Sequence, residues 1–379
     1  MGKMLRIQPA TGRFASIDGL RGYMAFFVFL HHSCMWYLVT HGYGWSPPPS
    51  NLFSHFGASS VDIFFMITAF LFFSKLLEVR AGKMDWLKLY VSRALRILPL
   101  YLFALFVLVS IVAVLTQFTL REPAGKVLQE ILQWMVYIRA DINGFHPTWM
   151  IIASVIWSLP YEWSFYFSLP LLGLFVKVKS SALVLIFSLA GLFFFIYVIL
   201  FYFQWAGSLS RMYPFLGGIA AAFLIRVPQV KALASGWMTS VCIIIFLTCA
   251  VSWGVRVGDP VILLFLSISF ILIACGNDLF GILTHPLSRM LGQISYSIYL
   301  LHGIFLFVTF KWIIGIKQAG QLSPLAYWGV IALCGMGVIL ICSVTYRFIE
   351  YPAMQATPMI TAKLRKGWAQ RLSKEVPAG

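Results

Sequence analysis

Several polar residues interrupt apolar runs at positions where an ionisable group costs about 2.5–3.5 kcal/mol in lipid. The first set is Asp18-Gly19-Leu20-Arg21, followed by His31-His32. Eleven residues is close to three helical turns, so Arg21 and His32 share one face about 16 Å apart. An imidazole at that depth can be neutral at pH 7 and accept a proton, or it can simply bridge two helices. His31 points about 100° away. In Arg93-Ala94-Leu95-Arg96 the spacing puts two guanidinium groups on one helix face. Such a pair can grip phosphates or snorkel to lipid headgroups. Glu162 stands in the aromatic stretch Trp157-Ser158-Leu159-Pro160-Tyr161-Glu162-Trp163-Ser164-Phe165-Tyr166. It could orient a histidine, bind sugar hydroxyls, or be solvated in an aromatic belt. Ser295, Tyr299 and His302 form one polar stripe, which suits a lined cavity or interhelical hydrogen bonds. Asp62 lies near the outer end of its apolar segment, where capping a helix is the plainer role.

The elements that must carry these groups are read from composition. The chain has 379 residues, 60% hydrophobic and 11% charged. A soluble chain carries about 25% charged residues. Mean hydropathy is +0.88. These values exclude a disordered chain, a small disulfide scaffold and a basic soluble nucleic-acid binder. They imply an all-α, polytopic membrane protein with about ten transmembrane helices. The expected spans are 19–39, 57–77, 98–118, 159–176, 182–204, 212–225, 237–255, 260–276, 291–310 and 324–346. The sixth is short, and Pro214, Gly217 and Gly218 predict a kink or break in it. Residues 127–138, within the long connection 119–158, predict an amphipathic helix. No fixed-period repeat divides the chain. The expected organisation is one membrane domain, 1–355, and a basic cytoplasmic tail, 356–379. Lys3, Arg6 and Arg13 before an apolar run resemble a signal peptide, but Arg21, His31 and His32 interrupt that run, so a retained first span is expected.

The net charge of +16 follows from topology. With both termini cytoplasmic, 21 of the 28 Lys and Arg fall on inside segments, the bias expected of membrane proteins. No nucleic-acid partner is needed to explain it. The six cysteines lie in apolar stretches without metal-ligand spacing, and no metal is expected. Phosphate-loop, HExxH, CxxC and Gly-x-Ser-x-Gly patterns do not occur.

The polar motifs, taken in order, resemble the family 3 membrane acyltransferases, which O-acetylate surface polysaccharides, peptidoglycan, Nod factors and macrolides. The resemblance rests on Ile17-Asp18-Gly19-Leu20-Arg21-Gly22 with His32, and on Val61-Asp62-Ile63-Phe64-Phe65. It continues in Arg93-x-x-Arg96-Ile97-Leu98-Pro99-Leu100-Tyr101, in Trp157-Ser158-Leu159 with Glu162 and Phe165-Tyr166, and in Ser295-Tyr296-Ser297-Ile298-Tyr299-Leu300-x-His302. Ile349-Glu350-x-Pro352 closes it, so it spans residues 14–352. One departure is Thr68-Ala69-Phe70, where the family usually has Ser-Gly-Phe. That change bears on close helix packing.

The resemblance implies an O-acyltransferase of the bacterial cytoplasmic (inner) membrane. The implied donor is an acyl-CoA, most often acetyl-CoA, acting as co-substrate with no cofactor bound permanently. His32 and Glu162 are then the catalytic candidates, with Arg21, Arg93 and Arg96 as donor-binding residues. Asp18, Asp62, Trp157, Tyr166, Tyr299 and His302 are candidates to line the cavity or bind the acceptor, a glycan or other hydroxyl compound. Glu162 and the long outer loop would position the sugar, and Tyr299 and His302 would line the cavity or stabilise the oxyanion. A transporter or flippase of lipid-linked sugars is the rival expectation, sharing buried polar groups and a broken helix.

Overall fold

A computed structural model of the chain describes residues 14–202 and 209–375. Lys3, Arg6 and Arg13, and the end of the expected fifth span, lie outside the described residues. Among those described, the regular structure is helical. In chain order the helices are α1 (Ala15–Thr40), α2 (Asn51–Glu78), α3 (Trp86–Leu115), α4 (Ala124–Met135), α5 (Ser158–Phe175) and α6 (Ala182–Tyr202). There follow α7 (Pro214–Leu224), α8 (Pro228–Ala234), α9 (Trp237–Trp253), α10 (Pro260–Ala274) and α11 (Pro286–Gln293). The last are α12 (Ser295–Val308), α13 (Ile316–Ala319), α14 (Pro324–Thr345), α15 (Tyr351–Gln355) and α16 (Thr357–Glu375).

Every expected span contains a helix, but ten crossings do not follow. Five helices are long and apolar enough to cross a membrane, or six if the bent pair around residue 226 counts as one. The reason is partly compositional. α1 carries Asp18, Arg21, His31 and His32, and α5 is 18 residues long with Glu162 in it. The residues that could do chemistry are those that dilute the apolar signal. α9 and α10 are apolar but shorter, at 17 and 15 residues.

Two local expectations shift. The sixth segment breaks after α7, where the chain turns by 106° into α8, and not at its prolines and glycines. Pro214 starts α7, where its missing N–H costs nothing. Gly218 serves packing instead: a Cβ there would lie 2.1 Å from the Met66 carbonyl oxygen and 2.7 Å from Ala69. The close α2–α7 contact is thus made by a glycine on α7, facing the Ala69 that replaces the family's usual glycine. The amphipathic helix of the long connection is α4, beginning three residues earlier than expected.

α1 lies between α2 on one side and α11 and α12 on the other, and α3 packs on α12. Two π-helical turns interrupt the last long helices, at Thr309–Ile313 and Tyr346–Glu350. After the second, α15 and α16 carry the chain past residue 355 without leaving helical geometry for more than one residue. α16 lies along α3, and Arg365 pairs with Asp85, the cap of α3, at 2.6 Å.

The long connection does not stay at the surface. Its last part, the 3₁₀ turns Thr148–Ile152 and Val155–Trp157, drops between the helices as far as the middle of α12. Gly303 permits this, because a Cβ there would lie 2.5 Å from the Ile152 carbonyl carbon. α5 therefore begins deep in the bundle, level with Tyr299, whose hydroxyl lies 2.8 Å from Ser158 Oγ.

Candidate active site

α1 and α12 bring His32 and His302 together. His302 Nε2 lies 2.9 Å from His32 Nδ1, and His302 is fully buried. The backbone sets the tautomers. The Ile298 carbonyl lies 2.8 Å from His302 Nδ1 and can only accept, so that nitrogen carries the hydrogen. In a neutral ring Nε2 then holds the lone pair and accepts from His32 Nδ1–H. The same Nδ1 lies 3.1 Å from the Val28 carbonyl, also an acceptor. His32 Nε2 is consequently the bare nitrogen, with no hydrogen-bond partner among the described residues. His31, its ring 5.0 Å from that of His32, borders the same cavity and donates to the Phe53 carbonyl of α2 at 2.7 Å.

His32 lines a cavity of about 910 Å³ at the end of the bundle that holds α4 and the long connection. Trp45, Trp149 and Trp157 also line it, with Arg139 and Arg211. The Trp45 ring stacks on His32 at 5.9 Å, and Trp149 meets Trp45 edge-on at 5.8 Å. Arg211 lies over Trp157, 4.4 Å from its centroid. Asp62 is not a helix cap: it stands twelve residues into α2, where Arg211 is the charge that acts on it.

Arg21, Arg93 and Arg96 converge on a second, narrow cavity of about 90 Å³ toward the opposite end. Their surroundings are partly neutralised already. Arg96 pairs with Glu350 at 3.2 Å, and Glu350, fully buried, also accepts from Ser297 Oγ. Arg93 stacks over Phe72 at 4.9 Å, and Arg96 over Tyr296 at 5.8 Å. Asp18 sits half-buried beside Arg21, Arg96 and Arg289, outside the lining of either cavity.

Glu162 belongs to this narrow cavity and accepts from the Tyr166 hydroxyl. It does not join the long connection at the wide cavity, because α5 starts so deep that its fifth residue already faces the arginines. His302 likewise lines neither cavity and reaches the site only through His32. Val61 and Tyr299 are the two residues that line both cavities.

Some participants went unmarked in the sequence. Glu350 was visible in its motif, yet nothing local tied it to Arg96, 254 residues away. Trp45 precedes Ser46 and the Pro47-Pro48-Pro49 run, in a connection that reads as an ordinary loop. Among the described residues, no three His, Cys, Asp or Glu side chains gather as a metal site.

Compared with known proteins, the chain matches a family model described as an acyltransferase domain over residues 14–347. No curated protein and no solved structure matches it.

Proposed function

The chain belongs to the family 3 acyltransferases, and from that premise we propose that it is a membrane O-acyltransferase moving an acyl group, in the first instance acetyl, from acyl-CoA to a sugar hydroxyl. The acceptor is a surface or lipid-linked glycan, and the membrane is the bacterial inner membrane with the arginine end toward the cytoplasm. Acyl-CoA is a co-substrate, and no resident cofactor takes part.

The phosphates of the donor rest at the mouth guarded by Arg21, Arg93 and Arg96. Glu350 holds Arg96, and the Phe72 ring holds Arg93, in place before the donor arrives. The pantetheine arm, which is thin and uncharged, enters the narrow cavity. The acceptor occupies the wide one, where Trp45, Trp149 and Trp157 offer flat faces to a sugar ring. His32 Nε2 takes the proton of the attacking hydroxyl. The oxygen bonds to the thioester carbonyl carbon, the carbon–sulfur bond breaks, and the leaving thiolate recovers the proton from the imidazolium. His302 acts as a positioning residue, keeping the hydrogen on His32 Nδ1.

One observation carries this reading: a histidine with one bare ring nitrogen borders the cavity that meets the arginine-lined one. The experiment uses purified protein in proteoliposomes with labelled acetyl-CoA and a glycan acceptor. Label should enter the glycan as an ester with the native chain and not with His32→Ala. Equal transfer by both would remove His32 from the reaction.

A further inference from the structure

The two cavities have almost disjoint walls. Val61 from α2 and Tyr299 from α12 are the residues they share. Both are buried, at 5% and 8% exposure. Val61 lies one turn from Gly57, which packs on the His31 ring, so it stands about 6 Å from the histidine level along α2. Tyr299 is three residues before His302, about 4.5 Å along α12. Two helices thus place the shared wall within about one turn of the histidine pair.

The Tyr299 side of this wall is anchored at several points. The Tyr299 hydroxyl donates to the Val155 carbonyl at 2.9 Å and lies 2.8 Å from Ser158 Oγ. The Tyr299 ring leans on Phe64 at 5.8 Å. Val155 and Ser158 are themselves fixed by the descent of the long connection against Gly303. A tyrosine tied at its hydroxyl to a 3₁₀ turn and at its Cα to a packed helix cannot swing aside without breaking two buried hydrogen bonds.

We propose that Val61 and Tyr299 form a neck that selects the acyl group by width. The inference rests on the acyltransfer reading above. A thioester that reaches His32 from the arginine side must lead with its acyl group, so that group passes the neck first. A straight acyl chain has the same cross-section as the pantetheine arm behind it and passes. A chain branched next to the carbonyl is wider and meets the Val61 methyl groups. Beyond the neck the wide cavity has room for either shape. Selection therefore acts on branching, and straight chains a few carbons longer than acetyl are admitted.

The test compares acetyl-CoA, butyryl-CoA and isobutyryl-CoA as donors to one glycan acceptor, with the full chain in proteoliposomes. The native protein should accept butyryl over isobutyryl, two groups of equal carbon number, by about tenfold or more in kcat/KM. Val61→Ala should raise the isobutyryl-to-butyryl ratio by about tenfold. Val61→Leu should lower transfer from all three donors while binding of desulfo-CoA, followed by equilibrium dialysis, stays as in the native protein. An unchanged ratio in Val61→Ala, or undiminished transfer in Val61→Leu, overturns the neck and leaves the acyltransferase reading standing. No ester from any of the three donors with the native chain overturns both.

Discussion

The narrow and the wide cavity are built on opposite principles. The narrow one, about 90 Å³, is walled in part by polar side chains that already have partners, Arg96 with Glu350 and Glu162 with Tyr166, while Arg93 rests against Phe72 with its buried Nε unbonded. The wide one, about 910 Å³, is walled by aromatic faces, by Arg139, Arg211 and Asp141, and by a histidine with a bare nitrogen. Paired arginines lose little side-chain freedom when an anion arrives, which suits one fixed donor. Flat apolar faces ask only for a flat ligand, which suits an acceptor that differs from one relative to another. On the proposed reading, the donor half of the reaction and the acceptor half are separated in space.

The comparison breaks or sharpens in several ways. The largest effect is expected at the bare nitrogen. His32→Ala should lower transfer by about 10²–10⁴-fold, the usual worth of a positioned acid–base group, with protein level unchanged. A drop below tenfold would reduce His32 to a wall residue. Next comes the arginine side. Arg93→Ala should lower kcat/KM for acyl-CoA by about 10–100-fold through the donor KM, following the loss of about 1.5–3 kcal/mol of charged hydrogen bonding. A shift in acceptor KM instead would reassign the narrow cavity.

His302→Ala removes the acceptor for His32 Nδ1–H and should lower kcat by about tenfold, with both KM values little changed. His302→Gln, whose side-chain oxygen can accept that hydrogen, should recover part of the loss. If the Gln variant recovers nothing, the tautomer argument fails. Trp149→Ala should raise the acceptor KM about threefold, the scale of one aromatic contact, with the donor KM unmoved. Equal movement of both constants would mean that the two cavities are not separate sites.

The smallest effect lies outside both. Burial alone would raise the Asp85 carboxyl, but the Arg365 hydrogen bond and the Lys88 backbone N–H outweigh it and hold it below its ordinary value. A carboxyl depressed on folding stabilises above its unfolded value and loses that contribution as pH falls through the folded one. Asp85→Ala should therefore cost about 1 kcal/mol near neutral pH, shrinking toward zero in acid, with transfer unaffected. Thermal unfolding in detergent across pH would measure it.

Helix positions and the pairing of Arg93 with Arg96 were legible because both are local: apolar runs set the first, and i, i+3 spacing set the second. That Arg21 joins them from α1 was not local. His32 stood out in the sequence because an imidazole in an apolar run is costly to bury. What could not be read was depth. Glu162 stands near the start of an apolar run, and such a start is ordinarily a membrane surface. Here the preceding turns fold inward against Gly303, and the same residue ends up beside Arg21. The Arg96–Glu350 pair and the shared wall of Val61 and Tyr299 depend on contacts across 254 and 238 residues, which no periodicity encodes.

The π-helical turn at Tyr346–Glu350 carries one residue more than an α-helix would need. That extra residue is taken up within nearly the arc that an ordinary helical turn sweeps, so the tail helix keeps its phase despite it. Deleting one residue inside the bulge should therefore restore ordinary winding and leave the tail helix on its seat along α3. The same one-codon deletion two turns earlier, in the regular part of α14, would rotate everything downstream by about 100° and should be far more damaging.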